Sequence, residues 1–252
     1  MKQIPNLFTL LNLFFGCIAI VFALQNGIDI AFTEDGGQYI KLSEKLVYAS
    51  LFIGIAAVID FLDGFVARLL GASSEMGKQL DSLADVVSFG AAPSVILYQF
   101  LRMSYIREAE GMETSMIYLL PAFIFSCAGA YRLARFNIDT EQSYGFKGVP
   151  IPAAGLLVAS LPLVYWYHLS DTVYAVMLNK WFLYAVILVT SWLMVSKLPL
   201  MALKFKDFTI KNNLPKYILV LLAVVAAILL KWLAVPVVFL AYIILSLLYK
   251  QK

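Results

Sequence analysis

The sequence predicts an all-α integral membrane protein with about eight transmembrane helices, forming a single membrane domain over residues 1–252. Of its 252 residues, 62% are hydrophobic and only 14% are charged, whereas soluble proteins carry roughly 25% charged residues. Apolar runs of about 20 residues recur along the chain, which is the length that a helix needs to cross the hydrocarbon core. No polar, Ser-rich or Pro-rich stretch is long enough to form a separate soluble domain.

Hydropathy predicts the spans in chain order. The first follows MKQIPN with no small-residue cleavage signal after the apolar run, so we expect a retained helix. The second and third are joined by a short turn through Gly71–Gly77, which makes them antiparallel neighbours. Lys231 and Pro236 leave only a tight connection between the last two spans, so one long broken helix is the alternative there. The predicted spans are about 6–25, 45–70, 79–103, 115–136, 149–169, 180–196, 215–231 and 233–249.

Basic residues are distributed unevenly between the two sides of this eight-span arrangement. The side carrying both termini holds thirteen of the 19 Lys and Arg residues, and the opposite side holds six. Because cytoplasmic loops are enriched in Lys and Arg, we expect both termini to face the cytoplasm in a multi-pass cell membrane protein. The net charge of +3 is too small to indicate a nucleic-acid partner, and the basic loop 204–216 is typical of an anchor near anionic lipid.

A few polar or reactive residues receive no function. Cys17 and Cys127 lie within apolar spans without CxxC spacing, which indicates small packing residues. His168 follows TyrTrpTyr at the outer end of a span, where an interfacial anchor is expected. The polar insert 26–44 lies on the outer side and has no assigned role.

The segment DFLDGFVARLLGASSEMGKQLDSLAD places four carboxylates in an otherwise apolar chain. Asp60 and Asp63 lie three residues apart at the cytoplasmic end of the second span, and Asp81 and Asp85 lie four apart at the start of the third. Each pair therefore shares a helix face. Since the two helices are antiparallel neighbours, we expect all four carboxylates to converge on one cavity.

Clustered carboxylates need cations to remain ionised. Oxygen ligands without His or Cys suit Mg²⁺ or Mn²⁺, and four carboxylates are enough for two divalent ions. Gly64 and Ala67 remove side-chain bulk beside the acids, while Arg68 and Lys78 add charge suited to phosphate. The plain structural alternative is a set of acids near water, paired with these two basic residues. An intramembrane carboxylate cluster nevertheless indicates a functional site.

This segment matches D-x₂-D-G-x₂-A-R-x₈-G-x₃-D-x₃-D at every fixed position and resembles the signature of the CDP-alcohol phosphatidyltransferases. The resemblance implies that the four aspartates bind two divalent metal ions and that Asp85 is also the catalytic base. It implies that Gly64, Ala67, Arg68 and Gly77 shape the pocket for the nucleotide and pyrophosphate of a CDP-linked lipid. It also implies a six-helix core, here about residues 1–205, with 215–249 as an additional helical hairpin, and a homodimer.

Other segments resemble the integral-membrane phosphatidylserine synthases within that family. They are IPNLFTLLNLFFG near the start, SFGAAP at 88–93, RLARFN at 132–137 and FKGVPIPAA at 146–154. The resemblance implies CDP-diacylglycerol and L-serine as substrates. The distribution of Lys and Arg predicts that the Asp60–Asp85 segment, and so the active site, faces the cytoplasm. Other acceptor alcohols remain open, among them glycerol 3-phosphate and an inositol phosphate. A cation transporter is a further alternative, although the acids form one local motif with no inverted repeat.

A zwitterionic amino acid needs a cation for its carboxylate. Arg132, Arg135 and Lys147 are candidates for binding serine and Asn137 for a further polar contact, with positive-inside anchors as the alternative for the basic residues. Thr9 and Asn12 share a face of the first helix and are assigned either to helix packing or to the pyrophosphate site. Ser88 and Pro93, after the last aspartate, are expected to shape a kink.

Overall fold

The structure is a computed structural model, and it describes residues 4–27, 29–32, 38–71, 74–107, 114–138, 146–168, 170–201 and 210–249. Helices dominate this part of the chain, as predicted. They are α1 (Ile4–Leu24), α2 (Glu44–Leu69), α3 (Glu75–Asp85), α4 (Ala92–Ile106), α5 (Ile124–Ile138), α6 (Ile151–Tyr167), α7 (Asp171–Met177), α8 (Lys180–Val195), α9 (Ile210–Leu230) and α10 (Ala234–Leu248).

Shorter elements join these helices. A π-helical turn, Val86–Ala91, connects α3 to α4 without a break, and 3₁₀ turns lie at Met116–Tyr118, Leu120–Phe123 and Lys231–Leu233. Two small antiparallel ladders pair β1 (Asp29–Phe32) with β2 (Gln38–Lys41), and β3 (Phe146–Lys147) with β4 (Pro199–Leu200).

Each of the eight predicted spans coincides with a helix, so the predicted fold class is confirmed. By length and hydropathy alone, five described segments suit a membrane crossing, and the pair α7 and α8, bent by 61°, makes a sixth. α6 is also apolar and is 17 residues long. One of the five is the 36-residue segment Asn213–Leu248. A straight helix of that length would extend for ~54 Å, far more than the ~30 Å hydrocarbon core.

α9 and α10 instead form a hairpin in which the two helices pack against each other. Lys231 interrupts the helix with a φ of 48°, and the neighbouring Trp232 ring packs on Tyr167 at the end of α6 with a centroid distance of 6.2 Å. At the other end of α10, the Tyr242 hydroxyl donates to the Met201 carbonyl over 3.0 Å. The structure therefore favours two spans over the single broken helix.

α1 and α2 form the most closely packed pair around the site. Phe52 of α2 stacks between Phe15 and Phe22 of α1, with centroid distances of 5.9 and 5.3 Å. Ala19 and Ala49 are fully buried, so the two backbones approach closely. α4 lies in the interior, where Phe100 is also fully buried. This packing places the start of α1 beside the end of α2 and the start of α3.

The connection into α6 depends on a glycine. Gly148 has a φ of 82°, and a Cβ at this position would lie 2.8 Å from the Ser196 carbonyl oxygen. The Gly148 amide donates to the Leu198 carbonyl over 3.0 Å, and the Val149 amide donates to the Leu193 carbonyl over 3.0 Å. Only glycine suits both the backbone and the space here, so the FKGVP run holds α6 against the end of α8.

The polar insert, which has no predicted role, forms the β1–β2 hairpin where it is described. The Tyr165 hydroxyl of α6 donates to the Ile40 carbonyl over 2.8 Å, and the Ile40 amide donates to the Tyr174 hydroxyl of α7 over 3.2 Å. The insert is thereby attached at the end of the bundle opposite the aspartates. Cys17 and Cys127 are both free and exposed on the helix surface.

Candidate active site

Two pairs of aspartates face each other where α2 ends and α3 begins. Asp60 and Asp63 lie near the end of α2, and Asp81 and Asp85 lie in the second half of α3. One carboxylate oxygen from each of Asp60, Asp63 and Asp81 lies within 4.8 Å of the other two. Acids from the two helices therefore come together for these three residues, which we call the carboxylate triad. All four were expected at one cavity, but of the four the neighbouring cavity is lined by Asp63 and Asp81.

The turn between the helices sets this geometry. Gly71 has a φ of 57°, a left-handed conformation that favours glycine. Ser74 then caps α3, because its hydroxyl oxygen accepts a hydrogen bond from the Gly77 amide over 3.0 Å. With the start of α3 fixed, Asp81 lies two helical turns further on, level with the aspartates of α2.

Asp85 lies one turn beyond Asp81 and is buried, with 7% of its surface exposed. Its carboxyl group is within hydrogen-bonding reach of Asp60. The Oδ1 atom of Asp85 is also buried and has no hydrogen-bond partner within the described ranges. Because an unpartnered buried oxygen is costly, this atom is suited to contact a cation or a reacting hydroxyl group.

α1 contributes two polar side chains to the carboxylates. The Thr9 hydroxyl donates to Asp63 Oδ2 over 2.8 Å, and Asn12 Nδ2 approaches Asp60 Oδ1 at 3.5 Å. Both side chains are buried. These contacts hold the two aspartate side chains toward the cluster, so Thr9 and Asn12 position acids. Their contact with a pyrophosphate stays a prediction.

The π-helical turn after Asp85 fastens the cluster to α1. The Ser88 hydroxyl donates to the Asn12 carbonyl over 3.0 Å. A Cβ at Gly16 would lie 2.8 Å from Ser88 Cα, so the two backbones nearly touch. Ser88 thus lies in a widened helical turn and has a positioning contact that its place in the sequence did not indicate. The kink expected at Ser88 and Pro93 stays a prediction.

A cavity of about 540 Å³ opens beside the triad. Its walls include most residues predicted for the nucleotide pocket, together with four that the motif did not indicate. The predicted members are Thr9, Gly64, Ala67, Gly77 and Lys78, and the additional ones are Pro5, Asn6, Ser74 and Glu75. Asn6 and Ser74 both lie close to Gly77, because a Cβ there would be 3.1 Å from each side chain. In the sequence, only their nearness to Thr9 and Gly77 indicated them.

The two basic residues of the motif occupy different places. Lys78 lines the cavity, and its ammonium donates to the Asn137 carbonyl over 3.3 Å. Arg68 does not line this cavity; its Nε donates to the Gly64 carbonyl one turn back on α2 over 2.8 Å. The phosphate contact predicted for Arg68 would therefore require its exposed guanidinium to turn toward the ligand.

Arg132 and Arg135 of α5 have distinct surroundings. Arg132 is buried, with 6% exposed, and its charge is close enough to interact with Asp85 and with Tyr242 of α10. Its Nε has no hydrogen-bond partner among the described residues. Arg135 donates to the Val195 carbonyl over 2.7 Å and to the Ser196 carbonyl over 3.1 Å, so it ties α5 to the end of α8.

Asn137 and Lys147, the other two residues predicted to contact serine, have contacts elsewhere in the protein. Asn137 Nδ2 donates to the Ser82 hydroxyl over 2.8 Å, linking the end of α5 to α3. The backbone of Lys147 pairs with Pro199 in the β3–β4 ladder, but its side chain lies outside the described residues. A serine contact for either residue stays a prediction.

The donor set fits divalent cations. The triad offers only carboxylate oxygens, the ligands that Mg²⁺ and Mn²⁺ favour. Two oxygens bound to one Mg²⁺ at ~2.1 Å lie at most ~4.2 Å apart, so the 4.8 Å spacing requires only a small side-chain adjustment. Asp85 Oδ1 supplies a further oxygen without a partner in the described structure.

Comparison with known proteins agrees with this geometry. The family model described as CDP-alcohol phosphatidyltransferase matches residues 2–203. The chain is 35% identical over 224 residues to the CDP-diacylglycerol–serine O-phosphatidyltransferase of Helicobacter pylori strain ATCC 700392, covering 86% of this chain and 78% of the relative. It is 30% identical over 258 residues to the Mycobacterium leprae protein of the same name, covering 96% and 73%.

A third relative with that name, from Bacillus subtilis, is 34% identical over 165 residues, covering 66% of this chain and 78% of its own. The matched family region contains all four aspartates and every residue of the motif. It ends before α9, so the helical hairpin formed by α9 and α10 lies outside it.

Proposed function

The chain belongs to the CDP-alcohol phosphatidyltransferase family, and on this basis we propose that it transfers the phosphatidyl group of CDP-diacylglycerol to L-serine. The products are phosphatidylserine and CMP. The observation that carries the proposal is the carboxylate triad beside a 540 Å³ cavity, within a chain similar to relatives named for this reaction. The enzyme is then a phosphatidylserine synthase.

In the proposed reaction the serine hydroxyl oxygen attacks the lipid-side phosphorus of the donor. A new oxygen–phosphorus bond forms, and the bond between this phosphorus and the oxygen bridging to CMP breaks. Asp85 accepts the hydroxyl proton, because its buried Oδ1 is not engaged by another described residue. CMP leaves with the electron pair of the broken bond, so no covalent enzyme intermediate is required.

Two divalent ions, Mg²⁺ or Mn²⁺, would be held by Asp60, Asp63, Asp81 and Asp85, and when bound they would neutralise the pyrophosphate and the departing CMP. Thr9 and Asn12 orient two of these carboxylates. This arrangement prepares the acids before substrate arrives.

The nucleotide occupies the cavity in this proposal. Gly64, Ala67 and Gly77 present little side-chain bulk along its wall, which permits close approach of the cytidine and pyrophosphate. Lys78 supplies positive charge from the wall, and Arg68 supplies it from outside the cavity.

Arg132 is the proposed partner of the serine carboxylate. It is buried, interacts with Asp85 and retains an Nε without a described partner. A serine carboxylate bound to Arg132 would lie near Asp85, the proposed base. This binding would orient the serine hydroxyl group toward Asp85. Asn137 and Lys147 are proposed as further contacts, and Arg135 as a support for α5.

The protein is a multi-pass membrane protein, and we propose that it lies in the cell membrane with both termini and the site facing the cytoplasm. This orientation follows the excess of Lys and Arg on that side. Residues 1–205 form the catalytic core of one membrane domain in this proposal, with 215–249 as an added hairpin. A homodimer is proposed from the family resemblance.

An acceptor panel tests the proposed function. Purified protein is given CDP-diacylglycerol and Mn²⁺ or Mg²⁺, with L-serine, glycerol 3-phosphate or inositol phosphate offered separately, and CMP release is measured. We expect release only with serine. Release with another acceptor would overturn the serine assignment while keeping the chemistry, and absence of release with every acceptor would favour a transport function.

A further inference from the structure

A second cavity, of about 440 Å³, lies between α2, α6 and the α9–α10 hairpin, and we call it the lateral groove. α2 lines it from Ser50 to Ile59, α6 lines it from Leu156 to Leu163, and the hairpin adds Trp232 and Val235. Apart from Ser50 and Ser160, its side chains are apolar or absent. Its volume falls within the range of small-molecule pockets, about 300–1,000 Å³.

The groove begins next to the carboxylate triad. Ile59, at its inner end, directly precedes Asp60 and lies one helical turn before Asp63. From there to Ser50 is nine residues of helix, or ~13 Å. The groove therefore extends from the level of the metal-binding acids toward the opposite membrane surface over roughly half of a ~30 Å hydrocarbon core.

The occupant must be apolar, elongated and present within the membrane. An acyl chain meets each requirement, and the donor lipid is the source that the geometry favours, since its phosphorus must lie at the triad. Gly54 provides the space at mid-groove: a Cβ built there would have no atom within 4 Å. Trp232 lies near the outer end, where its ring packs on Tyr167.

The wall that the α9–α10 hairpin adds to the lateral groove lies outside the region matched by the family model. Trp232 and Val235 follow residue 203, where the family match ends. Lys231, with its positive φ, breaks the helix immediately before Trp232 and so allows the ring to lie over the end of α6. The hairpin thus completes a groove that α2 and α6 alone would leave open on this side.

We propose that the lateral groove binds one acyl chain of the CDP-linked donor and that the α9–α10 hairpin makes the enzyme selective for donor chain length. This inference rests on the proposed function. Because the surrounding lipid is as apolar as the groove, occupancy acts mainly by shape: it aligns the donor along α2 and discriminates between chains that fill the groove and chains that do not.

Filling the groove tests the inference. Phenylalanine at position 54 has room for its Cβ and projects into the space that the chain would occupy. For Gly54→Phe we expect the ratio of kcat/KM for a dioleoyl donor to that for a dioctanoyl donor to fall roughly tenfold. Val225→Phe, on the exposed face of α9 outside the groove, is the matched control and should leave the ratio unchanged.

A crosslinking measurement needs neither a folded variant nor turnover. Wild-type protein is irradiated with CDP-diacylglycerol that carries a diazirine in the middle of one acyl chain, and the modified peptides are identified. Labelling of α2 near Gly54, of α6 near Ala159 or of Trp232 is the expected result. The proposal would be overturned if Gly54→Phe left the ratio of kcat/KM for the two donors unchanged. Labelling confined to α1 or to the outer face of α9 would overturn it as well. If the wild type releases no CMP from either donor, the proposed function fails, and the labelling pattern still decides whether the groove binds the chain.

Discussion

Asp85 differs from the other three aspartates in its depth and its contacts. It lies one turn further along α3 than Asp81, reaches Asp60, and has a buried Oδ1 without a described partner. The other three have oxygens within 4.8 Å of one another. Asp85, a proposed metal ligand that lies beyond the other three, is therefore also well placed to accept a proton from an attacking hydroxyl group.

Asp85→Asn is therefore expected to lower kcat by at least about 100-fold, the effect usual for a lost general base. The amide keeps the size of the side chain, so the variant should stay folded and should bind CDP-diacylglycerol. Turnover of CMP release and equilibrium binding of the donor are measured on the same preparation. Full turnover by a folded variant would contradict the assignment of Asp85 as base.

Arg132 and Arg135 allow a matched comparison on one helix. Arg132→Ala should raise the KM for serine by about 10-fold or more, as expected for a lost charged hydrogen bond, with a smaller change in the KM for the donor. Arg135→Ala removes bonds to the Val195 and Ser196 carbonyls, so it should lower thermal stability and affect both KM values alike. If both variants change the two KM values equally, Arg132 is structural.

Residue-level prediction from the sequence was strongest where chemistry depends on residue type and spacing. Two helical spacings in a membrane-type sequence predicted that Asp60, Asp63, Asp81 and Asp85 lie on facing surfaces, and the structure brings oxygens of the first three together. The partner of Ser88 was not predictable, because the Ser88–Asn12 contact joins residues 76 positions apart. Arg135 was grouped with Arg132 because an i,i+3 spacing does not reveal that its guanidinium reaches the end of α8.

At the scale of elements, close backbone contact holds the π-helical turn in place. A Cβ at Gly155 of α6 would lie 2.8 Å from the Phe89 carbonyl oxygen and 3.0 Å from its Cα. This turn directly follows Asp85, and Ser88 within it bonds to α1. α6 therefore supports the position of the proposed base through this turn.

Gly155→Ala should destabilise the protein by about 1–3 kcal/mol, because overpacking forces α6 away from the turn. Gly54→Ala is the control: it places the same methyl group on a membrane helix where no atom lies within 4 Å, and it should be neutral or gain up to about 1 kcal/mol from helix propensity. Unfolding of both variants in detergent is followed by circular dichroism. Equal stability of the two would show that the Gly155 contact is not tight.

Hydropathy predicted the helical elements well because each must present about 20 apolar residues to lipid. Their ends were less certain: α4 continues three residues beyond the predicted 103, and α9 starts five before the predicted 215. The π-helical turn has no hydropathy signal, since its side chains are as apolar as those of its neighbours. The β1–β2 hairpin was missed because contacts that hold it come from distant parts of the chain: Ile40 bonds to Tyr165 and Tyr174, which lie 125 and 134 positions away.

At the scale of the whole molecule, the site lies at the end of the bundle where α1 begins, and the β1–β2 hairpin lies at the other end. The eight spans predicted from hydropathy placed the aspartates and the insert 26–44 on opposite sides, as the structure does. It did not predict the lateral groove, because the groove combines residues from 50 to 235 that come together only through packing.

Cysteine labelling tests the proposed orientation. With Cys17 and Cys127 replaced by serine, a single cysteine is placed at the exposed positions Lys197 or Asp171, at opposite ends of the bundle. A membrane-impermeant maleimide should label Asp171→Cys in intact cells and Lys197→Cys only after permeabilisation. The reverse pattern would contradict a cytoplasmic site.

Metal-dependent transfer to serine is tested most directly by measuring CMP and phosphatidylserine together, using purified protein, CDP-diacylglycerol, L-serine and a titration of Mn²⁺ or Mg²⁺. We expect equal amounts of the two products, formed only when both serine and the divalent ion are present and abolished by a chelator. CMP formed without serine, or product formation unaffected by the chelator, would contradict metal-dependent transfer to serine at the carboxylate cluster.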